Sequence, residues 1–552
     1  MEWREYHEFT KHTVEKLRRS QHYLDWANMP NPYRHYEGVP LLDLPADPPA
    51  PQIPALEVLE GKLGNTFAND GVQNAAAKDA EQNAVAKDAA SKDGAENAVA
   101  KDAATKGAVA KEAEENVVTR DGAAFLSQLM FYSASISAIK RAAASTYALR
   151  VNPSSGNLHP TEFHFCTRGL VDWPDGLYHY RPSSHMAEQR AIGDFVPKVT
   201  DTPAPLVFVL TSIPWREAWK YRDRAYRYCL HDIGHAWQAL ALAARAMGCE
   251  SFAFGNFVDD EISASCLLNE DEWPMLIVTL QGPSIPVISR ETPKTVLYRG
   301  EANQLSEEKI SYPRIEKIHA ATKLLAATKE IRVSPSRDDG SSCADTLKLN
   351  GSGRIELPPP LSTSNSFGDV VRTRRSALDF RGGEEFMSLA QLSTLLSSTA
   401  KPFFADFAAH RFVQLYLYVH RVNGLEPSVY RYWPEHAQLE AIKPGDQRLV
   451  AAALSLGQDL GGNSCVTFSM IGDFEKATQI YGDRGYRCVH FEAGAIGQRM
   501  YLAAEALGLR ATGIGAFFDD EVHRYLSLTP EQGQVVYHFA VGYPVTDPRL
   551  EA

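Results

Sequence analysis

The sequence has little that would mark a secreted, membrane-bound or nucleic-acid-binding protein. Its seven cysteines are scattered, with no Cys-x-x-Cys and no Cys/His ligand spacing. Neither a disulfide framework nor a metal site is indicated, and such usage fits a reducing compartment. Acidic residues outnumber basic ones, for a net charge of −12; binding nucleic acid needs a basic face, so none is expected as a partner. No long apolar run occurs, and Met1-Glu-Trp-Arg-Glu5 lacks an apolar signal region. A membrane span is therefore not expected, and a cytoplasmic location is. No Gly-x-Gly-x-x-Gly follows a strand pattern, which excludes a built-in dinucleotide turn of the Rossmann kind. What remains, 44% hydrophobic and 22% charged residues over 552 positions, is an ordinary globular composition with room for several domains.

One stretch occurs twice. Tyr221 to Glu261 and Tyr481 to Glu521 align without a gap at an offset of 260, with 17 identities in 41 positions. Both open on Tyr-x-Asp-Arg-x-Tyr-Arg, continue in an Ala/Leu-rich helical pattern and end in Gly-x-Phe-x-Asp-Asp-Glu. The period is far above that of solenoid units, so it reads as a duplicated domain. Because both copies keep Asp223/Arg224 and Asp483/Arg484, and both keep the Asp259-Asp-Glu261 and Asp519-Asp-Glu521 ends, these charges read as structural.

Around the repeat the chain divides into five stretches. Residues 1–61 form a polar, aromatic leader ending in a Pro-rich segment; 62–119 form an Ala/Lys/Asp-rich low-complexity insertion. Within it, Asn83 to Ala90 recurs unchanged as Asn97 to Ala104. Alanine favours helix, but such a stretch has almost no large apolar side chains to bury. Repeat 1 spans 120–285, a connector with a Ser/Pro-rich linker spans 286–368, and repeat 2 spans 369–552. Each repeat carries apolar strand patterns, such as Leu206-Val-Phe-Val-Leu-Thr211 and Val466-Thr-Phe-Ser-Met470, before a long helix predicted over 222–248 or 482–508. Gly248 is a plausible C-cap. Irregular alternation of helices and strands points to an α+β sandwich.

Two segments carry candidate chemistry. In Arg150-Val-Asn-Pro-Ser-Ser-Gly-Asn-Leu-His-Pro160, Ser154, Ser155 and Asn157 offer hydroxyl and amide groups, while Pro153 and Gly156 shape a tight turn. Such a loop can grip the polar edge of a planar heterocycle or a phosphate; an ordinary turn has the same composition. In Val371-Arg-Thr-Arg-Arg-Ser376 the guanidinium forks suit phosphate oxygens, although a solvated basic turn looks alike.

Together these pieces resemble the nitroreductase superfamily, and within it the SagB-type azoline dehydrogenases. The resemblance rests on Arg374-Arg375-Ser376, on Pro153-Ser154-Ser155-Gly156-Asn157 and on Gly513-Ile514-Gly515-Ala516. It implies two tandem sandwich domains paired as an intramolecular pseudo-dimer, so that one chain can do the work of a homodimer. It implies FMN, with Arg374, Arg375 and Ser376 at the phosphate. The loop Pro153, Ser154, Ser155 and Asn157 would meet the flavin from the other repeat, with Gly513, Gly515 and Ala516 near its ring. Lys220 and Tyr221 match an adjacent Lys-Tyr pair on the substrate side, where a desolvated lysine can act as a base and a tyrosine can relay a proton. NAD(P)H could reduce the flavin by transient stacking. The implied substrate is a small-molecule or peptide-derived heterocycle. A generic nitro or quinone reductase, and a flavin- or partner-binding protein without turnover, stand as alternatives. One departure is Leu378, where relatives often carry a basic residue; Arg381 lies further on.

The copies differ in a complementary way. At a strand offset of 252, Pro153–Asn157 falls opposite Ala405-Asp-Phe-Ala-Ala409, and nothing of the loop survives. Matching Leu126-Ser-Gln-Leu to Leu392-Ser-Thr-Leu sets Arg374–Ser376 opposite Ala108–Ala110. Lys220 is matched by Ile480. Each repeat has kept one half of a composite site, so one flavin site per chain is expected.

Overall fold

The protein is described here by a computed structural model covering residues 2–19, 23–64, 121–142, 145–325 and 353–550. Most of the low-complexity insertion, including Ala108–Ala110, lies outside the described residues. Repeat 1 builds a sheet from β1 (Thr161–Thr167), β2 (Gly176–Arg181), β3 (Met186–Ile192), β4 (Leu206–Ser212), β5 (Glu250–Phe254) and β6 (Trp273–Gln281). Repeat 2 builds its own from β7 (Val413–Val419), β8 (Ser428–Trp433), β9 (Gln438–Pro444), β10 (Val466–Gly472), β11 (Arg510–Ile514) and β12 (Gln534–Gly542). The first sheet runs β3-β2-β1-β4-β6-β5 and the second β9-β8-β7-β10-β12-β11, the same order throughout. All these pairings are antiparallel. Register repeats as well: Thr161 faces Ser212 as Val413 faces Gly472. The central strands β4 and β10 are buried along their whole length, as their apolar runs require.

Leader and connector close the sheet edges. Leu41–Asp43 and Val296–Leu297 pair with β3, and Arg354–Glu356 pairs with β9. Pairing of this kind shortens the open row of backbone donors at those edges. The leader also bridges the repeats. Trp3 packs on Phe474 at 5.1 Å between ring centroids, and Tyr6 lies edge-on to both Tyr226 and Tyr486 at 6.1 Å.

The helical part of the duplicated stretch is not one uninterrupted helix. Helices α1 (Pro214–Tyr221) and α2 (Ala225–Ala246) are separated by a 3₁₀ turn at Arg222–Arg224. In repeat 2, α3 (Phe474–Tyr481) and α4 (Gly485–Ala506) are separated by Gly482–Arg484. The break has a backbone cause: Arg222 and Gly482 sit at φ of 51° and 58°, which no right-handed helix accommodates. Gly248 and Gly508 have positive φ just past the ends of α2 and α4, the left-handed cap anticipated at Gly248.

Helices α2 and α4 cross at Gly234 and Gly494, which are equivalent at the 260 offset. A Cβ on Gly234 would lie 2.2 Å from the Phe491 carbonyl oxygen, and one on Gly494 would lie 2.1 Å from that of His231. Only backbone fits, so the crossing fixes how the two repeats meet.

The duplicated charges lock that junction twice. Asp519 of repeat 2 accepts from Arg224 at 3.0 Å and Arg227 at 2.8 Å. Asp259 of repeat 1 accepts from Arg484 and, at 2.7 Å, from Arg487. Burial alone would raise both carboxyls, but the paired guanidiniums outweigh it and hold both below the ordinary aspartate range. These residues are structural, joining one repeat to the other.

Candidate functional site

Fold symmetry creates two equivalent positions at the junction, and the residues build them differently. At the first, the helix Phe367–Thr373 ends by delivering Arg374 and Arg375. Arg374 is buried; its Nη2 donates to the Arg150 and Val151 carbonyls of repeat 1 at 3.0 and 3.2 Å, and its guanidinium lies 5.0 Å over the Tyr501 ring. Its Nε has no partner among the described residues. Arg375 donates to the Ser137 carbonyl at 2.8 Å. Desolvation, then the nearby Arg374 and Arg510, lower its pKa to about 10, with Glu505 opposing them. Cations crowded in this way gain from an anion. Ser376 is exposed and bonds the Tyr501 hydroxyl at 2.8 Å, and that hydroxyl in turn accepts from the Gly513 amide at 2.9 Å. Arg381 pairs with Glu385 at the surface instead.

The loop Pro153–Asn157 begins two residues beyond the carbonyls that Arg374 grips. Its polar groups are mostly spent on its own shape. Asn157 Nδ2 donates to the Ala148 carbonyl at 3.0 Å, and Ser154 Oγ accepts from the His159 amide at 2.9 Å. The Ser155 amide and hydroxyl both donate to Asp232 of α2, at 3.0–3.1 Å. Gly156, at φ 60°, brings bare backbone against the Lys220–Tyr221 pair. A Cβ there would sit 2.6 Å from the Tyr221 hydroxyl and 3.2 Å from Lys220 Nζ. Tyr221 packs on Tyr228 at 4.5 Å, and the Tyr228 hydroxyl donates to the Gly515 carbonyl at 2.9 Å.

The glycine turn closes the circle. A Cβ on Gly513 would lie 2.0 Å from the Tyr537 hydroxyl, and one on Gly515 would lie 2.3 Å from the Tyr228 ring. The Tyr537 hydroxyl is 3.3 Å from His235 Nε2, and its ring stacks on His231 at 4.4 Å. The Ala516 carbonyl accepts from Gln458 at 3.3 Å. Arg374, Ser376, the Ser/Asn loop, Lys220–Tyr221 and the glycine turn therefore form one contiguous lining drawn from both repeats.

The second position is filled by the chain itself. The segment equivalent to the Ser/Asn loop is apolar and turns inward: Phe403 and Phe407 pack on Trp237 at 5.5 and 5.4 Å. Trp237 stands where repeat 2 has Gly497. The backbone joins too, with Ala253 donating to the Phe404 carbonyl and Asp406 to that of Ala253. Asp406 accepts from the Gly255 and Asn256 amides at 2.7 and 3.1 Å. The equivalent amides of Gly515 and Ala516 at the first position have no partner among the described residues. Asp406 thus marks what that turn can hold, a pair of acceptor atoms.

Sequence reasoning missed Glu217, Tyr228, Asp232, His235, Tyr501 and Tyr537. Part of the signal was in the repeat. Tyr228, Asp232 and His235 lie at i, i+4 and i+7 on one helix face, and their counterparts are Cys488, Glu492 and Ala495. Among the described residues, no group of His, Cys, Asp or Glu could hold a metal ion, and no helix is long and apolar enough to cross a membrane.

Known proteins match this architecture. A crystal structure assigned as a nitroreductase from Anabaena variabilis superimposes with a TM-score of 0.69 at 23% identity, over 98% of this chain and 99% of that one. That likeness extends to the tandem fold as a whole. A Methanocaldococcus jannaschii protein assigned as a nitroreductase is 34% identical over 116 residues, 21% of this chain. The trifolitoxin operon protein TfxC of Rhizobium leguminosarum bv. trifolii is 31% identical over 105 residues, 19% of this chain. The chain spans 59% of the length of the first of these relatives and 30% of the second. The model of the nitroreductase family matches residues 133–282 and again 371–543, one match for each sheet and its helices. With the duplicated fold and both matches on the same footing, the chain belongs to the nitroreductase family.

Proposed function

We propose that the chain is an FMN-dependent oxidoreductase with a single composite flavin site, oxidising a small-molecule or peptide-derived heterocycle. One observation carries the reading: of two symmetry-equivalent positions, one keeps crowded arginines, an open amide pair and a Lys-Tyr pair, while the other is filled by Phe403, Phe407 and Trp237. The residues present suit the cofactor. Arg374 and Arg375, with Arg372 and Arg510 nearby, offer an excess of positive charge over the one neighbouring carboxyl, Glu505, for a phosphate. The Gly515 and Ala516 amides offer donors to the acceptor edge of a planar ring, as Gly255 and Asn256 do to Asp406. When bound, the flavin supplies the two-electron chemistry.

The chain's own residues would supply the rest. Tyr221, Tyr228, Tyr501 and Tyr537 wall the position with aromatic surface, and burial raises the Tyr221, Tyr228 and Tyr537 hydroxyls above their ordinary range, so they stay protonated. Lys220 Nζ, beside Gly156, is placed to take a proton from a substrate on that side. NAD(P)H is the donor or competing partner when the flavin is reduced from solution. The relative in a trifolitoxin operon supports a peptide-derived substrate.

Flavin released by acid and measured against protein tests the reading. The expected value is about one per chain, from one competent position of two. A value near two would break the composite-site argument, and none would break the cofactor assignment. Reoxidation of NAD(P)H-reduced flavin by a nitro or quinone compound, with no heterocycle oxidised, would favour the generic reductase.

A further inference from the structure

The filling of the second position stops short at one end. Beside Phe404 there remains a recess of about 240 Å³, partly open to solvent, whose lining includes Trp237, Gln238, Arg245, Ser251 and Arg499. Each polar side chain in that lining can donate a hydrogen bond, and no carboxyl is among them.

Arg499 of α4 is 2% exposed and is held by neutral groups alone. Its Nε donates to Gln238 Oε1 at 3.0 Å. Its Nη atoms donate to the Ser398, Lys401 and Pro402 carbonyls at 3.4, 2.5 and 2.9 Å, at the end of the helix Leu389–Ala400. These acceptors satisfy hydrogen bonds but carry no net charge, and a buried cation without a counter-ion is costly. Arg411, which also acts on Arg499, has a carboxyl of its own, Glu492 at 3.9 Å.

Arg245 of α2 is the second guanidinium. It lies 5.4 Å over the Phe404 ring, and its side chain makes no hydrogen bond or ion pair among the described residues. The other repeat shows a different arrangement. At the 260 offset Arg245 and Glu250 correspond to Glu505 and Arg510, a pair with the signs exchanged, and Glu505 and Arg510 close to 3.7 Å. In repeat 1 Glu250 is exposed and acts on Arg245 only from a distance. At the first position a carboxyl stands among arginines; at the second, an arginine takes the carboxyl's place and shares a recess with another arginine.

We propose that Arg245 and Arg499, with Gln238 and Ser251, form a second anion site that takes a phosphate group. Guanidinium forks, an amide and a hydroxyl supply donors to a group whose oxygens are acceptors. Phe403, Phe407 and Trp237 fill the place of a planar ring, so the ligand is inorganic phosphate or a small phosphate monoester rather than a second flavin. The site does not depend on what the first position holds.

Titration calorimetry of the full chain with inorganic phosphate tests this, at mildly alkaline pH and with ionic strength held constant by chloride. A saturable isotherm is expected. Arg245→Gln should weaken it by about tenfold or more, because a charge-assisted bond is lost. Ser251→Asp, which brings a carboxyl into the recess from β5, should weaken it at least as much by a separate route. Arg375→Gln, at the first position, should leave it in place. Glycerol phosphate separates the two sources: tighter binding of the free ion assigns the site to phosphate itself, tighter binding of the ester to a monoester, and either upholds it. Circular dichroism checks that the variants fold; both alter side chains that hold no other group. No saturable binding, or an isotherm that Arg245→Gln and Ser251→Asp leave unchanged, would overturn the proposal. So would an isotherm lost in Arg375→Gln instead, which would assign the anion to the first position.

Discussion

The two junction positions share one backbone frame and have opposite contents. At one, the residues facing inward are Arg374, Lys220, four tyrosines and a histidine; at the other they are Trp237, Phe403 and Phe407. Arginine, lysine and hydrogen-bonding groups dominate the first position, and packed aromatic rings dominate the second. Filling the second position serves stability. An abandoned site left open would be a cavity in the core, costly at about 24 cal/mol per Å³ of void. Asp406 carries this to the backbone, taking up amides that would otherwise be stranded.

This comparison can be broken at its shared point first. Gly494→Val places a side chain within contact of the His231 carbonyl at the helix crossing. A loss beyond about 4–5 kcal/mol is expected, seen as failure to recover soluble folded protein. Gly234→Val should fail equally, since the crossing belongs to neither position alone; a tolerated substitution at one glycine would mean that the pseudo-dyad is displaced.

Catalysis should come next and be wholly one-sided. Lys220→Ala should keep flavin content but lower heterocycle oxidation by about 10²–10⁴-fold once a substrate is found. Ile480→Ala, on the filled side, should leave the rate alone. An unaltered rate in Lys220→Ala would return the pair to a packing role.

The clasps should be two-sided. Asp519→Asn and Asp259→Asn each leave buried arginines unpaired, at a cost of about 3–5 kcal/mol in denaturant midpoints. Both carboxyls are depressed in the folded chain. Their contribution is therefore complete above the unfolded aspartate pKa and is lost as pH falls through the lower folded values. Acid titration of stability should be shallower in either variant, and a difference between them would show that the clasps had specialised with the positions.

The smallest effect concerns retention. Arg374→Ala should weaken flavin holding by about 1.5–3 kcal/mol, measured as flavin left after dialysis. Arg499→Ala, whose guanidinium lies 4.0 Å over Phe403 on the filled side, should change flavin content little. Equal losses at both would mean that the arginines act on the fold rather than on a ligand.

The duplication, the α+β class and the pairing of repeats were legible because a gapless repeat carries fold and offset together. The polar loop and the arginine cluster stood out because their residue types are unusual in those patterns. The role of Asp406 and the phenylalanines did not. Lys401-Pro-Phe-Phe-Ala-Asp-Phe407 reads as an unremarkable loop, and only its inward turn reveals it as a plug. Glu217 and Asp232 were hidden for a similar reason. Carboxylates on a helix normally face water, and nothing in their spacing tells that both are buried. The β-hairpin at Ile136–Ala142 and Ser145–Arg150, which holds Arg375, also passed unnoticed, since its mixed composition shows no clean alternation.

The crossing at Gly234 and Gly494 has one more consequence. In a homodimer with a two-fold axis, one codon change alters both subunits, so an improvement to one pocket is imposed on its twin. Tandem fusion cuts that tie everywhere except on the axis, where either helix still needs bare backbone from the other. Drift was thus free to act separately on each half, and the paired glycines are where the chain still inherits the obligations of a dimer.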